Sequence, residues 1–147
     1  MEIRNATEKD ARDIADIIKR HAQEDYMGYA TFDERYIRAK MRRDFFIVAL
    51  EDKLIGCVRL SMVDIDLADI RTMCVDQDQR RKGIATKLME EVMKIATENQ
   101  IRKLMTRTKA DNPVAINFFN KFGFVQEGYF KEHYRKGIDV IQLSKFL

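Results

Sequence analysis

A short basic stretch around a single glycine could bind phosphate. The sequence RRKGIA at residues 80–85 follows an apolar run that ends at Val75 and opens a run with apolar residues at helical spacing. The first turn of a helix has backbone N–H groups without partners, and together with the helix dipole these attract anions. Gly83 would let the backbone come close to a ligand, and the three cations before it add charge. The stretch therefore predicts a diphosphate site.

Two common nucleotide-binding motifs do not fit this stretch. A P-loop has Gly-Lys-Ser/Thr after an earlier glycine, whereas here Lys82 precedes Gly83 and Ile84 follows. A dinucleotide fingerprint needs three glycines, and Gly83 is the only glycine between Gly56 and Gly123. Both motifs are therefore disfavoured.

Residues 80–85 instead resemble the signature of the GNAT (Gcn5-related N-acetyltransferase) family. In that family Gln or Arg is followed by two residues, Gly, one residue, and then Gly or Ala. A second stretch, NPVAINFFNKFGF at residues 112–124, resembles the family's short helix that is closed by Gly-Phe. The two stretches have the family's order and spacing, and the resemblance extends from residue 3 to residue 147.

The resemblance implies an α/β (α+β) fold in one domain over residues 1–147. Its mixed, mostly antiparallel seven-stranded sheet would be splayed between strands four and five, with four helices. Acetyl-CoA would be the cosubstrate, its pantetheine arm along the fourth strand and its diphosphate on the amides of residues 80–86. The residues expected to bind acetyl-CoA are Met73, Cys74, Val75, Arg80, Arg81, Lys82, Gly83, Ile84, Ala85, Thr86, Asn112 and Phe119.

The activity that the resemblance implies is direct transfer of an acetyl group to a primary amine of a small molecule or a peptide. The attacking amine must give a proton to a base. Asp69, six residues before Val75, has the spacing of the family's acidic base and would act directly or through water. It could equally begin a strand at the surface. Asp64 and Asp66 are weaker candidates in a predicted loop.

Phe119 departs from the family pattern. Many members have a tyrosine there that protonates the leaving sulfur, and phenylalanine has no proton to donate. The thiolate could leave unassisted, Tyr129 or Tyr134 could donate the proton, or water could do so. The departure also leaves open a second function, a non-catalytic acetyl-CoA-binding sensor or regulatory module.

The amine acceptor is less well defined by the sequence. The resemblance implies a site built from the loop between the first two helices and from the last two strands. Tyr26, Tyr29 and Tyr134 could receive a cationic amine through cation–π contacts, although exposed loop surface explains them as well. His21 and His133 are not at metal-ligand spacing, so no metal is expected.

Asn112 has two compatible roles. It precedes Pro113, so it is a natural N-cap for the helix that ends near Gly123. The family also uses an asparagine here to contact the coenzyme. Phe118 and Phe122 in the same helix have the spacing of core residues.

Charge and composition exclude several classes of partner. The 27 basic and 24 acidic side chains leave a net charge of +3, which does not favour nucleic acid or anionic membranes. Residues 80–87 could form a basic nucleic-acid patch, but they lack interleaved aromatic residues. No run approaches the roughly 18 apolar residues of a membrane span. We expect a cytoplasmic protein with reduced, buried Cys57 and Cys74, and because dimers are common in the family, a homodimer is allowed.

The elements that must position these residues alternate along the chain. Apolar alternation predicts strands at residues 3–6, 45–50, 54–62, 69–75, 104–108, 124–130 and 138–143. Helical spacing predicts helices after Thr7, over residues 32–42, from Gly83 to about Asn99, and over residues 112–123. The predicted loops are residues 26–31, 64–68 and 131–137, and residues 51–53 form a hairpin turn.

Overall fold

The chain forms seven strands and four α-helices within residues 1–24 and 32–147, the part that this computed structural model describes. The strands are β1 (Glu2–Asn5), β2 (Phe45–Leu50), β3 (Leu54–Asp64), β4 (Leu67–Val75), β5 (Lys103–Lys109), β6 (Val125–Arg135) and β7 (Ile138–Phe146). The helices are α1 (Ala11–Glu24), α2 (Glu34–Lys40), α3 (Ile84–Glu98) and α4 (Pro113–Lys121). Short 3₁₀ turns, Glu8–Asp10 and Gln77–Gln79, follow β1 and β4. The sequence predicts this order of strands and helices.

The strands form one sheet in the order β1-β2-β3-β4-β5-β7-β6. All neighbouring strands are antiparallel except β4 and β5, which are parallel because α3 returns the chain across the sheet. The predicted mixed, mostly antiparallel sheet is therefore confirmed.

Apolar side chains cover both faces of the sheet. On one face, Ile14 and Ile18 of α1 and Ile37 of α2 pack in a buried cluster with residues of β2 and β3. On the other, α3 contributes Leu88 and Val92 to a larger cluster. Burial of these side chains, about 1.5–3 kcal/mol each, holds the helices on the sheet and fixes where their ends lie.

A β-bulge interrupts β4 at Arg71. Thr72 lies opposite Arg59 and Ile70 lies opposite Leu60, so Arg71 has no counterpart on β3. An extra residue shifts the alternation of side chains between the two faces. Ile70 accordingly packs in the cluster under α3, whereas Cys74, four residues later, packs in the cluster under α1.

The second helix is shorter than predicted. It spans Glu34–Lys40 rather than residues 32–42 because the side chain of Asp33 accepts a hydrogen bond from the Tyr36 amide at 2.8 Å and caps the helix. The loop predicted at residues 26–31 lies outside the described residues.

Two predicted loops are mostly strand. β3 continues through Asp64 and β4 begins at Leu67, which reduces the predicted loop at 64–68 to Ile65 and Asp66. β6 continues through Arg135, so only Lys136 and Gly137 of the predicted loop at 131–137 connect β6 to β7. β6 is an exposed edge strand, and an edge strand without a buried face lacks the apolar alternation on which the prediction relied.

Candidate active site

β4 and β5 separate partway along their length. Leu67 to Ile70 of β4 lie opposite Lys103 to Thr106 of β5, and no pairing follows in the described residues. The hydroxyl of Thr106 donates a 2.9 Å hydrogen bond to the Ile70 carbonyl at the last pair. Beyond it, β4 presents backbone groups that an extended amide-bearing ligand could pair with. Met73, Cys74 and Val75 lie on this open segment.

The start of α3 follows directly from the open segment. Gly83 has φ +78°, a left-handed conformation, and a Cβ added there would meet no atom within 4 Å. No side chain caps the helix, and its first turn contains no acidic residue. The amides of Ile84, Ala85 and Thr86 belong to the first turn, where a helix has no internal partner for its N–H groups. This arrangement fits a diphosphate.

Cationic side chains surround this helix start. Arg80, Arg81 and Lys82 are exposed. The Nε of Arg80 donates to the Val75 carbonyl at 3.2 Å, and the Nζ of Lys82 donates to the Gln79 side chain at 3.3 Å. Arg81 has φ +64°, the left-handed region that non-glycine residues rarely adopt. The backbone here is therefore held in an unusual conformation next to Gly83.

An ion pair that sequence reasoning missed holds the same loop. Arg20 of α1 donates to one oxygen of Asp76 from Nε at 3.2 Å and from Nη2 at 2.9 Å. The Asp76 side chain is 10% exposed, and its backbone amide donates to the Ile55 carbonyl at 2.9 Å. Because 55 residues lie between Arg20 and Asp76, no local pattern signals the pair.

Asp69 lies just before the separation of β4 and β5. Its side chain is 14% exposed, and its nearest cation is Arg71, with Nε 3.8 Å from Oδ2. Burial raises the pKa of the Asp69 carboxyl above its ordinary value, and Arg71, Arg107 and Arg59 partly offset the rise. A carboxylate with a raised pKa is a better proton acceptor near neutral pH.

Arg107 is the centre of a group that sequence reasoning also missed, here called the Arg107 cluster: Arg107, Phe130, His133, Tyr134 and Gln142. Its Nε donates to Gln142 at 3.1 Å, and its Nη1 donates to the Tyr134 hydroxyl at 3.2 Å and lies 3.3 Å from His133 Nε2. The guanidinium carbon lies 4.8 Å from the centre of the Phe130 ring. These residues come from β5, β6 and β7, so only the fold brings them together.

Strand register places the two candidate tyrosines on opposite faces of the sheet. Residues directly opposite one another across a ladder project from the same face. Tyr129 lies opposite Ile141, whereas Arg107 lies opposite Gln142, the next residue of β7. Asp69 lies opposite Met105 and so shares the face of Arg107. Because its hydroxyl contacts Arg107, Tyr134 also lies on the face of Asp69, whereas Tyr129 lies on the other.

Tyr129 is engaged on its own face. Its hydroxyl donates to the carboxylate of Asp139, a hydrogen bond that raises the pKa of Tyr129 and lowers that of Asp139. The Tyr129 side chain is otherwise exposed. Its proton is therefore already shared with a carboxylate.

The helix α4 holds two further predicted residues. Asn112 caps it, accepting a hydrogen bond from the Ala115 amide at 3.2 Å, with Pro113 in the first position. Phe119 is 7% exposed and makes edge contacts with Phe118 and Phe124. Its ring is core, which leaves little of its surface for a ligand.

The remaining predicted residues divide into described and undescribed ones. Tyr26 and Tyr29 lie outside the described residues. Within residues 1–24 and 32–147, no group of three His, Cys, Asp or Glu side chains could hold a metal ion. Cys57 and Cys74 are both buried, as predicted. No helix in the same ranges has both the length and the apolar character needed to cross a membrane.

Comparisons with known proteins agree with this architecture. The model of the Acetyltransferase (GNAT) family matches residues 9–124. The N-alpha-acetyltransferase 30 of Schizosaccharomyces pombe is 24% identical over 136 residues, which are 89% of this chain and 88% of that protein.

Solved structures share the fold at low sequence identity. The ribosomal-protein-alanine N-acetyltransferase from Brucella melitensis has a TM-score of 0.84 at 21% identity, with 100% of both chains covered. A GNAT family acetyltransferase from Elizabethkingia anophelis, solved with acetyl-CoA bound, has a TM-score of 0.78 at 18% identity, covering 99% of this chain and 97% of that one. The predicted splayed sheet is the fold of these proteins.

Proposed function

Because the chain belongs to the acetyltransferase (GNAT) family, we propose that it transfers an acetyl group from acetyl-CoA to a primary amine by direct attack in a ternary complex. The observation that carries this proposal is the open segment of β4, residues 71–75, leading into the uncapped start of α3. A strand edge and a helix start in that order offer partners for an amide-bearing arm and for the diphosphate attached to it.

The two segments would bind different parts of the coenzyme. Met73, Cys74 and Val75 would pair with the pantetheine arm through their backbone. The amides of residues 83–86 would hold the diphosphate, with Arg80, Arg81 and Lys82 adding charge. Asn112 would contact the coenzyme from α4 while it caps that helix. The open space at Gly83 supports this assignment because no side chain obstructs the approach of a phosphate.

The coenzyme supplies an acetyl thioester. The amine nitrogen forms a new C–N bond to the acetyl carbon, and the C–S bond to the coenzyme breaks. Asp69 would take the proton that the amine loses, directly or through a water molecule. Its limited exposure and raised pKa support this role. The cationic neighbours Arg71 and Arg107 favour the ionised form of the carboxyl, which is the form that accepts a proton.

Protonation of the departing thiolate requires a different group from Phe119. Tyr134 shares the face of Asp69 and carries a hydroxyl within the Arg107 cluster, which makes it a better donor than Tyr129, whose proton goes to Asp139. A thiolate is also stable enough to leave unassisted. A loss of turnover in Tyr134→Phe would favour the tyrosine, and unchanged turnover would favour unassisted departure or water.

The deciding experiment follows free thiol while acetyl-CoA is incubated with a panel of amines. The panel contains polyamines, aminoglycosides, amino acids and peptides with free N-termini, since relatives are named for action on protein N-termini. We expect thiol release to depend on one class of acceptor and an acetylated product to appear by mass spectrometry. Tight binding of acetyl-CoA by calorimetry with no release from any amine would instead indicate the sensor suggested by Phe119.

A further inference from the structure

Arg107 stands where β4 and β5 part. It follows Thr106, the last residue of β5 that pairs with β4. Its side chain projects from the same face as that of Asp69, two positions away along the ladder from Met105, the counterpart of Asp69. Arg107 is close enough to favour the charged form of the Asp69 carboxyl. The guanidinium therefore borders the space that an attacking amine must occupy.

Hydrogen bonds to Gln142 and Tyr134 and a contact with the Phe130 ring hold the Arg107 guanidinium in place. Its Nε and Nη1 are bonded to Gln142 and Tyr134, with His133 beside Nη1, and Phe130 supports the guanidinium plane. In the described part of the chain its hydrogen bonds and ion pairs include no carboxylate, and none involves Nη2. A fixed orientation with donors to spare is the state in which arginine binds a carboxylate through two parallel hydrogen bonds.

A second arginine on the same face of the sheet, Arg59, differs from Arg107 because it pairs with a carboxylate. Arg59 is 3% exposed and lies 2.7 Å from the carboxylate of Asp44, which also accepts from Ser61. The charge of Arg59 is thus neutralised within the protein, as buried charges require. Among residues 1–24 and 32–147, no carboxylate pairs with Arg107 in this way, although Gln142 and Tyr134 already fix its position.

The coenzyme diphosphate is not the natural counter-ion of Arg107. The strand segment from Arg71 to Val75, four residue-to-residue steps, separates the end of β4–β5 pairing from the loop before α3, about 13 Å at 3.3 Å per step. That loop also has its own cations, Arg80, Arg81 and Lys82. If Asp69 is the base, as the proposed function has it, the acceptor enters on this face and is the molecule that can supply a different anion to Arg107.

We propose that Arg107 binds a carboxylate of the acceptor, so that the protein acetylates amines that also carry a carboxylate near the amine. This inference rests on the proposed function. The amine would face Asp69 while the carboxylate meets the free edge of the Arg107 guanidinium. Polyamines and aminoglycosides are disfavoured because Arg71 and Arg107 would repel their additional positive charges.

Two kinds of molecule have an amine close to a carboxylate: free amino acids and peptides that begin with Asp or Glu. Pairs of acceptors with and without that carboxylate distinguish the two. Free amino acids are compared with their amides, which lack only the α-carboxylate. Peptide amides that begin with Asp or Glu are compared with those that begin with Asn or Gln. We expect kcat/KM to favour the carboxylate form about 10- to 100-fold in one of the two comparisons, the size of a charged hydrogen bond.

Arg107→Gln should remove this preference by lowering kcat/KM for the carboxylate acceptor while the value for its amide changes little. Arg107→Lys retains the charge but not the paired donors, so it should keep part of the preference and serves if the glutamine variant folds poorly. Arg102→Gln is the matched control, since Arg102 precedes the other end of β5 and also lies over an aromatic ring, that of Phe146. Calorimetry with acetyl-CoA checks that the coenzyme site is intact in each variant.

Equal rates for carboxylate and amide acceptors, or a preference that survives Arg107→Gln, would overturn the inference and leave the proposed function standing. Turnover of other amines without turnover of any carboxylate-bearing amine would overturn it as well. Failure of the proposed function has a different signature, in which no amine of any kind releases thiol, whether or not acetyl-CoA binds.

Discussion

Asp69 is costly to the fold, and its proposed role as the base would explain why it is there. It lies at the edge of the core with its side chain 14% exposed, and Arg71 approaches it only to 3.8 Å. Burial disfavours its ionised form more than the neighbouring arginines restore it, so its pKa is raised. A residue placed only for stability would have a closer ion pair.

Asp69→Asn should lower kcat about 10²- to 10⁴-fold while acetyl-CoA binding is unchanged, because the amide cannot accept the proton. Asp64→Asn and Asp66→Asn serve as controls, since both carboxylates lie in or beside the two-residue turn between β3 and β4. Steady-state thiol release over a range of pH measures the effect. Equal rates for Asp69→Asn and wild type at every pH would remove Asp69 from the role of base.

The same substitution should stabilise the fold at neutral pH. A carboxyl whose folded pKa is raised contributes stability that is present below its unfolded pKa, about 3.9, and is lost as pH rises through the folded pKa. Removing the buried charge therefore raises the melting temperature at neutral pH relative to wild type. A stability gain together with a loss of turnover would separate a functional charge from a structural one.

At the scale of the element, the start of α3 depends on Gly83. Its φ of +78° suits glycine, and its missing side chain leaves the approach to the first turn open. Gly137, in the turn between β6 and β7, has nearly the same conformation, φ +81°, and the same open surroundings. The two glycines differ mainly in what lies beside them.

Gly83→Glu should abolish acetyl-CoA binding because it places bulk and negative charge at the diphosphate site. Gly137→Glu carries a similar backbone strain, about 1–3 kcal/mol, and should bind acetyl-CoA like wild type. Calorimetric titration of both variants gives the comparison. Unchanged affinity in Gly83→Glu would refute the placement of the diphosphate.

The Arg20–Asp76 pair links α1 to the loop before α3. Arg20→Gln and Asp76→Asn should each destabilise the protein by about 1–2 kcal/mol and weaken acetyl-CoA binding, because the loop loses its anchor. The double variant should cost little more than either single one, since both remove the same interaction. Arg12→Gln, also on α1 but 79% exposed, is the control. Additive effects in urea unfolding and calorimetry would show that the two residues act separately.

Features that depend on local interactions can be predicted from this sequence, whereas features that depend on contacts between distant residues cannot. Helix α4 could be placed from Asn112 and Pro113, and α3 from its apolar spacing, because caps and periodicity are local. The bulge at Arg71 leaves no local pattern, since it appears only when β4 is aligned with β3. The other members of the Arg107 cluster lie 23 to 35 positions from Arg107 in the chain, so a single sequence contains no signal for their grouping. The helix starts used by the proposed coenzyme site could accordingly be predicted, whereas the grouping of side chains beside Asp69 could not.

At the scale of the whole molecule, an ion pair beside β1 makes the free energy of unfolding depend on pH in the acidic range. Arg4 binds both oxygens of Asp10 at 2.7 and 3.0 Å, and the Thr7 amide donates to the same carboxylate at 2.7 Å. These bonds, chiefly that from Arg4, lower the pKa of Asp10. They hold β1 against the start of α1.

Asp10→Asn should destabilise the protein by about 1–3 kcal/mol at pH 7. A lowered folded pKa contributes stability that is present above the unfolded pKa, about 3.9, and lost as pH falls through the folded value. The difference from wild type should therefore shrink below pH 4. Urea unfolding at pH 7 and pH 3 measures it, with Asp13→Asn, exposed on α1, as control. A difference independent of pH would assign the loss to packing instead of charge.

The short parallel pairing between β4 and β5 also affects when, during synthesis, the proposed coenzyme site can form. Strands β1 to β4 all precede Asp76 in the chain and pair in sequence with one another, whereas β5 joins β4 through four residues after α3 has crossed the sheet. During synthesis the earlier residues emerge first and can pair while the later ones are still being added. The opening between β4 and β5, where we propose that the coenzyme binds, has only one side until residues 103–106 leave the ribosome. A nascent chain would therefore gain this site at a late and definable point of translation.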